Sequence, residues 1–333
     1  MDIRIVNLRA IAIFIVILGH SIILYDPSWG LYHSEVAMPL FEYVKQHLIN
    51  PIQMPIFFFI SGFLFYRSVN GRNQLSFKKF FLSKFIRLII PYFCIAILWM
   101  NPIKYLVRAP GYSALSEIPT VLVEQFLFSG FLGHLWYLPT LLGVYIIAFL
   151  CVKFLYKNIK CKYHIYWNLL LFVSFLLLYY LRQFVPSYFC LASVANYLVF
   201  FFGGYLFACS NGLLKTNIPP FFFKKIVVWS CWVLALLGSC SLVYLRPLFL
   251  LLLIVVSYWL IPNKTNNLIS SISERSFGIY LFHSPLIYIT YTYFINSSPW
   301  LVLFLNFIVM GVVSYILTIC ISKTKIKFII GEK

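Results

Sequence analysis

Arg9 and His20 both lie in the first apolar run of the chain, where ionisable residues are costly and by default mark function. Ten residues separate them. At about 100° per residue, eleven steps carry a helix roughly 20° past three full turns, with a rise of about 16 Å. Both side chains therefore share one face of one helix. Histidine titrates near neutrality and can deprotonate a hydroxyl nucleophile. Taken alone, Arg9 is explained equally well as a charge flanking a membrane span.

Further along, five groups of residues could carry chemistry. Ser61-Gly62 interrupts a wall of phenylalanines in 53–64, offering either a hydroxyl contact or close helix packing. Lys84 and Arg87, one turn apart before Pro91-Tyr92, suit the phosphates of a cytosolic ligand or anionic headgroups. His134, Trp136 and Tyr137 open an apolar run, where aromatic rings serve as a membrane-interface belt or as a surface for stacking a sugar. His283 is a second histidine inside a span, open to packing, substrate positioning or proton transfer. Glu124 sits in the short apolar stretch 118–128, which reads as an interfacial or re-entrant helix.

The elements that position these residues follow from composition. Of 333 residues, 62% are hydrophobic, 20% aromatic and only 10% charged, and the mean hydropathy is +0.91. Soluble domains are about a quarter charged. The expected class is an all-α polytopic membrane protein. At about 20 residues per span, apolar runs predict ten, near 5–25, 52–66, 86–106, 135–155, 165–184, 190–209, 225–243, 245–262, 276–295 and 299–321. Two long connections, 26–51 and 107–134, lie on one side, and 75–87 reads as an amphipathic helix leading into the third span. An even count places both termini together. With them in the cytoplasm, 21 basic residues fall inside and five outside (Lys45, Lys104, Arg108, Arg182 and Arg246), as the positive-inside rule requires. This spread accounts for the net charge of +18 without a nucleic-acid partner. The eight cysteines lack metal-type spacing and read as small buried residues, so no metal or bound cofactor is expected. No soluble appendage is evident, and residues 1–333 read as one membrane domain with its core at 4–322.

Five blocks in order give the chain a family likeness. They are Arg9 with His20, the run Phe58-Phe59-Ile60-Ser61-Gly62-Phe63, Arg87 through Pro91-Tyr92, His134-Leu135-Trp136-Tyr137-Leu138, and Ile279-Tyr280-Leu281-Phe282-His283. Together they resemble the acyltransferase-3 membrane acyltransferases over nearly the whole chain. Asn7 stands where that family often has an acid, and Lys84 where it commonly has further basic residues. The resemblance implies an O-acyltransferase of the inner (cytoplasmic) membrane that uses acyl-CoA, usually acetyl-CoA, on a hydroxyl of a saccharide. The acceptor would be a capsule, exopolysaccharide or O-antigen unit, possibly lipid-linked. His20 and Arg9 would be catalytic, Arg87, Lys84 and Ser61 would face the donor, and His134, Trp136, Tyr137, Glu124 and His283 the acceptor. The competing class is a transporter or flippase of a glycan or lipid-linked intermediate, which would carry internal repeats and paired broken helices; neither is seen. Asp26 follows His20 by six positions, one too many for the soluble His-x4-Asp acyltransferase motif.

Overall fold

A computed structural model of the protein describes residues 2–32, 34–70, 76–112, 133–158, 164–186, 188–217 and 225–332. Among these the regular structure is helical, with no strand. The helices are α1 (Ile3–Ser21), α2 (Pro39–Tyr43), α3 (Asn50–Asn70), α4 (Phe77–Ile95), α5 (Asn101–Leu106), α6 (Tyr137–Asn158) and α7 (His164–Leu181). They continue with α8 (Leu191–Asn217), α9 (Lys225–Ser241), α10 (Arg246–Leu260), α11 (Asn267–Phe294), α12 (Pro299–Phe304) and α13 (Gly311–Ser322). Three π-helical turns, Val44–Ile49, Ala96–Met100 and Leu305–Met310, join α2 to α3, α4 to α5 and α12 to α13. Among the described residues, eight of the resulting rods are long and apolar enough to cross a membrane. Two more helices complete the ten apolar runs: α9, of 17 residues, and α11, which is 28 residues long but interrupted by polar groups.

Several boundaries differ from those the hydropathy predicts. The second span is not short. It runs from Pro39 to Val69 as a 31-residue rod, so half of the expected loop 26–51 is helix. Glu42, Lys45, Gln46, His47 and Asn50 mask it from a hydropathy reading, yet Pro39 at the first turn suits the start of a helix. The amphipathic stretch before the third span is likewise continuous with it, over Phe77–Leu106. The expected ninth span begins nine residues early, at Asn267, where Asn266 caps the helix by accepting from the Ile269 amide at 2.8 Å. The run 118–128 with Glu124 lies outside the described residues.

The chain forms two compact units. The first comprises residues 1–53, 85–136 and 264–333. Here α1 packs along α11, and α11 along α13. Gly278 permits the second contact, since a Cβ there would stand 2.3 Å from Thr318 Cγ2. Asp2 starts α1 by accepting from the Arg4 amide at 3.0 Å. Near the other end of α1, Tyr25, Phe41, Ile49, Tyr112, Tyr288, Tyr291 and Val302 form an apolar cluster.

The second unit comprises residues 54–84 and 137–263. α6 and α7 each pack on α8, and α9 pairs with α10. Its tightest crossing is between α3 and α8. A Cβ on Gly62 would lie 1.8 Å from the Phe201 carbonyl oxygen, and one on Gly204 would lie 1.9 Å from that of Phe59. Only glycine allows backbones this close. On α7, Leu169, Leu170, Val173 and Leu177 are each more than half exposed. Such an apolar outer stripe is stable against lipid tails and unfavourable against water.

Candidate functional site

Three histidines far apart in sequence meet in the first unit. His20 ends α1, His283 lies in the middle of α11, and His134 belongs to the short turn 133–136. His20 Nδ1 is 2.7 Å from His283 Nε2, with ring centroids 4.9 Å apart. The His134 and His283 centroids are 6.0 Å apart. Both His134 and His283 are buried.

Their carbonyl partners assign the protons. A carbonyl oxygen can only accept, so His283 Nδ1, 3.0 Å from the Ile279 oxygen, carries hydrogen. In a neutral ring that leaves Nε2 as the acceptor, and His20 Nδ1 donates to it. His20 Nε2 is then the nitrogen with a free lone pair. By the same reasoning His134 Nε2 donates to the Leu281 oxygen at 3.2 Å. The free carbonyl on α11 has a covalent origin. Pro285, four residues on, has no N–H to offer Leu281. The next carbonyl, Phe282, accepts from Trp99 Nε1 at 3.3 Å. The end of α1 is pinned by Tyr291, whose hydroxyl donates to the His20 carbonyl at 2.5 Å.

Beside these rings is a cavity of about 340 Å³, lined among others by His20, Asp26, Trp29, Lys45, Asn50, Gln53, His134, Trp136 and Tyr288. Lys45, Asn50 and Gln53 come from one rod at intervals of five and three. The π-helical turn at Val44–Ile49 accommodates this spacing by adding a residue to the turn, a deviation common at functional sites. Lys45 is only 2% exposed. It fits because α1 has glycine next to His20: a Cβ on Gly19 would stand 2.6 Å from Gln53 Oε1, 2.7 Å from Ile49 Cγ2 and 3.2 Å from Lys45 Nζ.

In the loop after α1, Asp26 is buried and accepts from the Ser28 amide (3.1 Å), Ser28 Oγ (2.7 Å) and Gln46 Nε2 (3.2 Å) at Oδ1, and from Asn50 Nδ2 (3.2 Å) at Oδ2. Burial pushes its pKa up, but these donors together outweigh burial and hold it below 3.8.

Of the residues expected from sequence, His20, His134, Trp136 and His283 come together. Arg9 donates from Nε and Nη2 to the Ser273 carbonyl, tying α1 to the first half of α11. Arg87 is exposed. Its carbonyl, freed by Pro91, is covered by Gly331 at φ 69°, where a Cβ would lie 2.6 Å from the oxygen. In the second unit, Lys84 Nζ sits over the Tyr145 and Phe80 rings, at 4.0 and 5.6 Å. Tyr137 is buried there against Phe57 and Phe58. Ser61 is half-buried beside the Gly62 crossing, which supports the packing explanation for this pair. Glu124 is outside the described residues.

Sequence reasoning missed Lys45, Asn50, Gln53, Trp29 and Tyr288 as site residues, and used Lys45 only as an outer-loop charge. A polar stripe at Lys45, Gln46, Asn50 and Gln53, leading into an apolar run, was the available signal. Among the described residues, no group of three or more histidines, cysteines or acids is placed to hold a metal ion. A family model described as an acyltransferase domain matches residues 2–323. No curated protein and no solved structure is significantly similar to the chain.

Proposed function

The chain belongs to the acyltransferase-3 family, and we propose that it transfers an acetyl group from acetyl-CoA to a hydroxyl of a cell-surface saccharide, with His20 as the base. The observation that carries this reading is the pairing of His20 with His283 beside a polar, aromatic-lined cavity. His20 Nε2 takes the hydroxyl proton as the acceptor oxygen attacks the thioester carbonyl. The C–O bond forms, the C–S bond then breaks, and the departing CoA thiolate takes the proton from the His20 imidazolium. While that imidazolium exists, its Nδ1–H donates to neutral His283, a charge-assisted bond stronger than the one before transfer. The C-terminal end of α1 adds favourable negative potential.

The charge asymmetry favours cytoplasmic termini. In that orientation Arg9 lies toward the cytosol, where the CoA phosphates would be, and the cavity lies at the opposite, outer end of α1. Trp29, Trp136 and Tyr288 offer ring faces for a sugar. Arg87 and Lys84 are further donor-side candidates and Ser61 a weaker one; Tyr137 and Glu124 remain acceptor-side candidates by resemblance alone.

Purified protein incubated with labelled acetyl-CoA and the host's surface glycan should label the glycan, and His20→Ala should not. Equal labelling by both would remove His20 as the base. Glycan movement across vesicles without any acyl transfer would establish the transporter in place of the enzyme.

A further inference from the structure

Two buried ammonium groups flank the cavity, and neither has a carboxylate within ion-pairing distance among the described residues. Lys45 lines it directly. Lys104, 6% exposed, holds its Nζ 4.6 Å from the Tyr288 ring centroid and 5.2 Å from that of Tyr112. The same Nζ is 4.0 Å from where a Cβ on Gly133 would stand, and both Gly133 and Tyr288 line the cavity. Asp26 is the one acid among the described lining residues, and its carboxylate already accepts from Ser28, Gln46 and Asn50. Among the described residues around the cavity, positive charge thus exceeds negative. The Tyr112 and Tyr288 faces offset only part of the cost of burying the Lys104 ammonium, and Asp26 attracts Lys45 without pairing with it, so two cations at one cavity favour an anion between them.

We propose that the acceptor subsite recognises an anionic saccharide, with the carboxylate or phosphate of the sugar between Lys45 and Lys104 and a hydroxyl directed at His20. This rests on the acyl-transfer reading for the identity of the cavity as an acceptor site. It adds a charge requirement that neither the family nor the histidines impose.

The test is equilibrium binding, so that it does not depend on turnover. Thermal unfolding of the detergent-purified protein is followed by tryptophan fluorescence with galacturonate, inorganic phosphate or galactose. Galacturonate, phosphate or both should raise the midpoint at concentrations where galactose does not, and which of them acts separates a carboxylate from a phosphate. Lys45→Met and Lys104→Met should each weaken the anion effect at least tenfold, while Lys325→Met on the exposed C-terminal segment should leave it unchanged. An anion effect equal in all variants means adventitious surface binding and overturns the proposal. So does an effect no greater than that of galactose in the wild type, which needs no variant to fold. Lys45→Arg keeps the charge and should retain most of the binding. Anion binding without acyl transfer to any glycan would keep the anion site at Lys45 and Lys104 but remove the acetyl-transfer reading, and with it the site's identity as an acceptor subsite. Acyl transfer without anion preference would do the reverse.

Discussion

His134 Nε2 lies 3.2 Å from the carbonyl oxygen of Leu281, the oxygen that Pro285 leaves without a helical donor. One missing N–H in α11 thereby fixes the orientation and tautomer of a histidine 147 residues away in sequence. The Tyr280 hydroxyl, from the same turn of α11, donates to the His134 carbonyl and holds the other end of that residue.

Pro285→Ala tests this dependence. The restored amide would compete with His134 for Leu281, and His134 would lose its fixed ring. Acyl transfer should fall about tenfold, equivalent to about 1.4 kcal/mol in the barrier, with thermal stability unchanged or slightly raised. Steady-state kinetics and a melting curve on the same preparation check both halves of the expectation.

The histidine pair predicts unequal losses. His20→Ala removes the base and should lower kcat by about 10²–10⁴-fold. His283→Ala leaves the base but removes the group that receives its Nδ1–H. The bond lost is one to a charged group in the transition state, and about 10- to 100-fold is expected for roughly 1.5–3 kcal/mol. Equal losses in the two variants would mean that His283 itself contacts the reacting atoms.

Gly19→Ala should disturb the site from behind. Its Cβ would meet Gln53 Oε1 and Ile49 Cγ2 below 3.0 Å. Overpacking of this kind costs about 1–3 kcal/mol, and here it pushes on the rod that carries Lys45. The melting midpoint and activity should fall together.

At the α3–α8 crossing, Gly62→Ala or Gly204→Ala sets a Cβ within 2 Å of a backbone oxygen, which side-chain motion cannot relieve. Loss of folded protein on size-exclusion chromatography is expected for either. Ser61→Ala should fold normally, so any rise in KM for acetyl-CoA would assign Ser61 to the donor.

Acid should loosen the loop after α1. Because the hydrogen bonds to Asp26 hold its pKa below 3.8 in the folded protein, its contribution to stability is fully present above that value. It is lost as the pH falls through the lower folded-state pKa. Thermal unfolding between pH 5 and pH 3 should show a declining midpoint whose acid limb is flatter in Asp26→Asn.

Hydropathy, charge distribution and five ordered blocks were legible in the sequence, because membrane burial and the positive-inside rule act on residues in local runs. They gave the helical class, the ten apolar runs, the likeness to the family, and His20 as the residue to watch. Hydropathy alone lost the starts of two rods, at 39–51 and 267–275, since a helical segment rich in polar, partly exposed residues resembles a loop. Pairing was beyond it. That His20 meets His283, that His134 answers Pro285, and that Lys45 is a buried site cation instead of an outer-loop charge depend on how α1, α11 and the π-helical turn pack. These contacts join residues more than 140 positions apart, or turn on one extra residue in a helical turn, and no local pattern encodes either. The face shared by Arg9 and His20 was determined by spacing alone. Only tertiary structure separated the two, fastening Arg9 to the Ser273 carbonyl and leaving His20 beside the cavity.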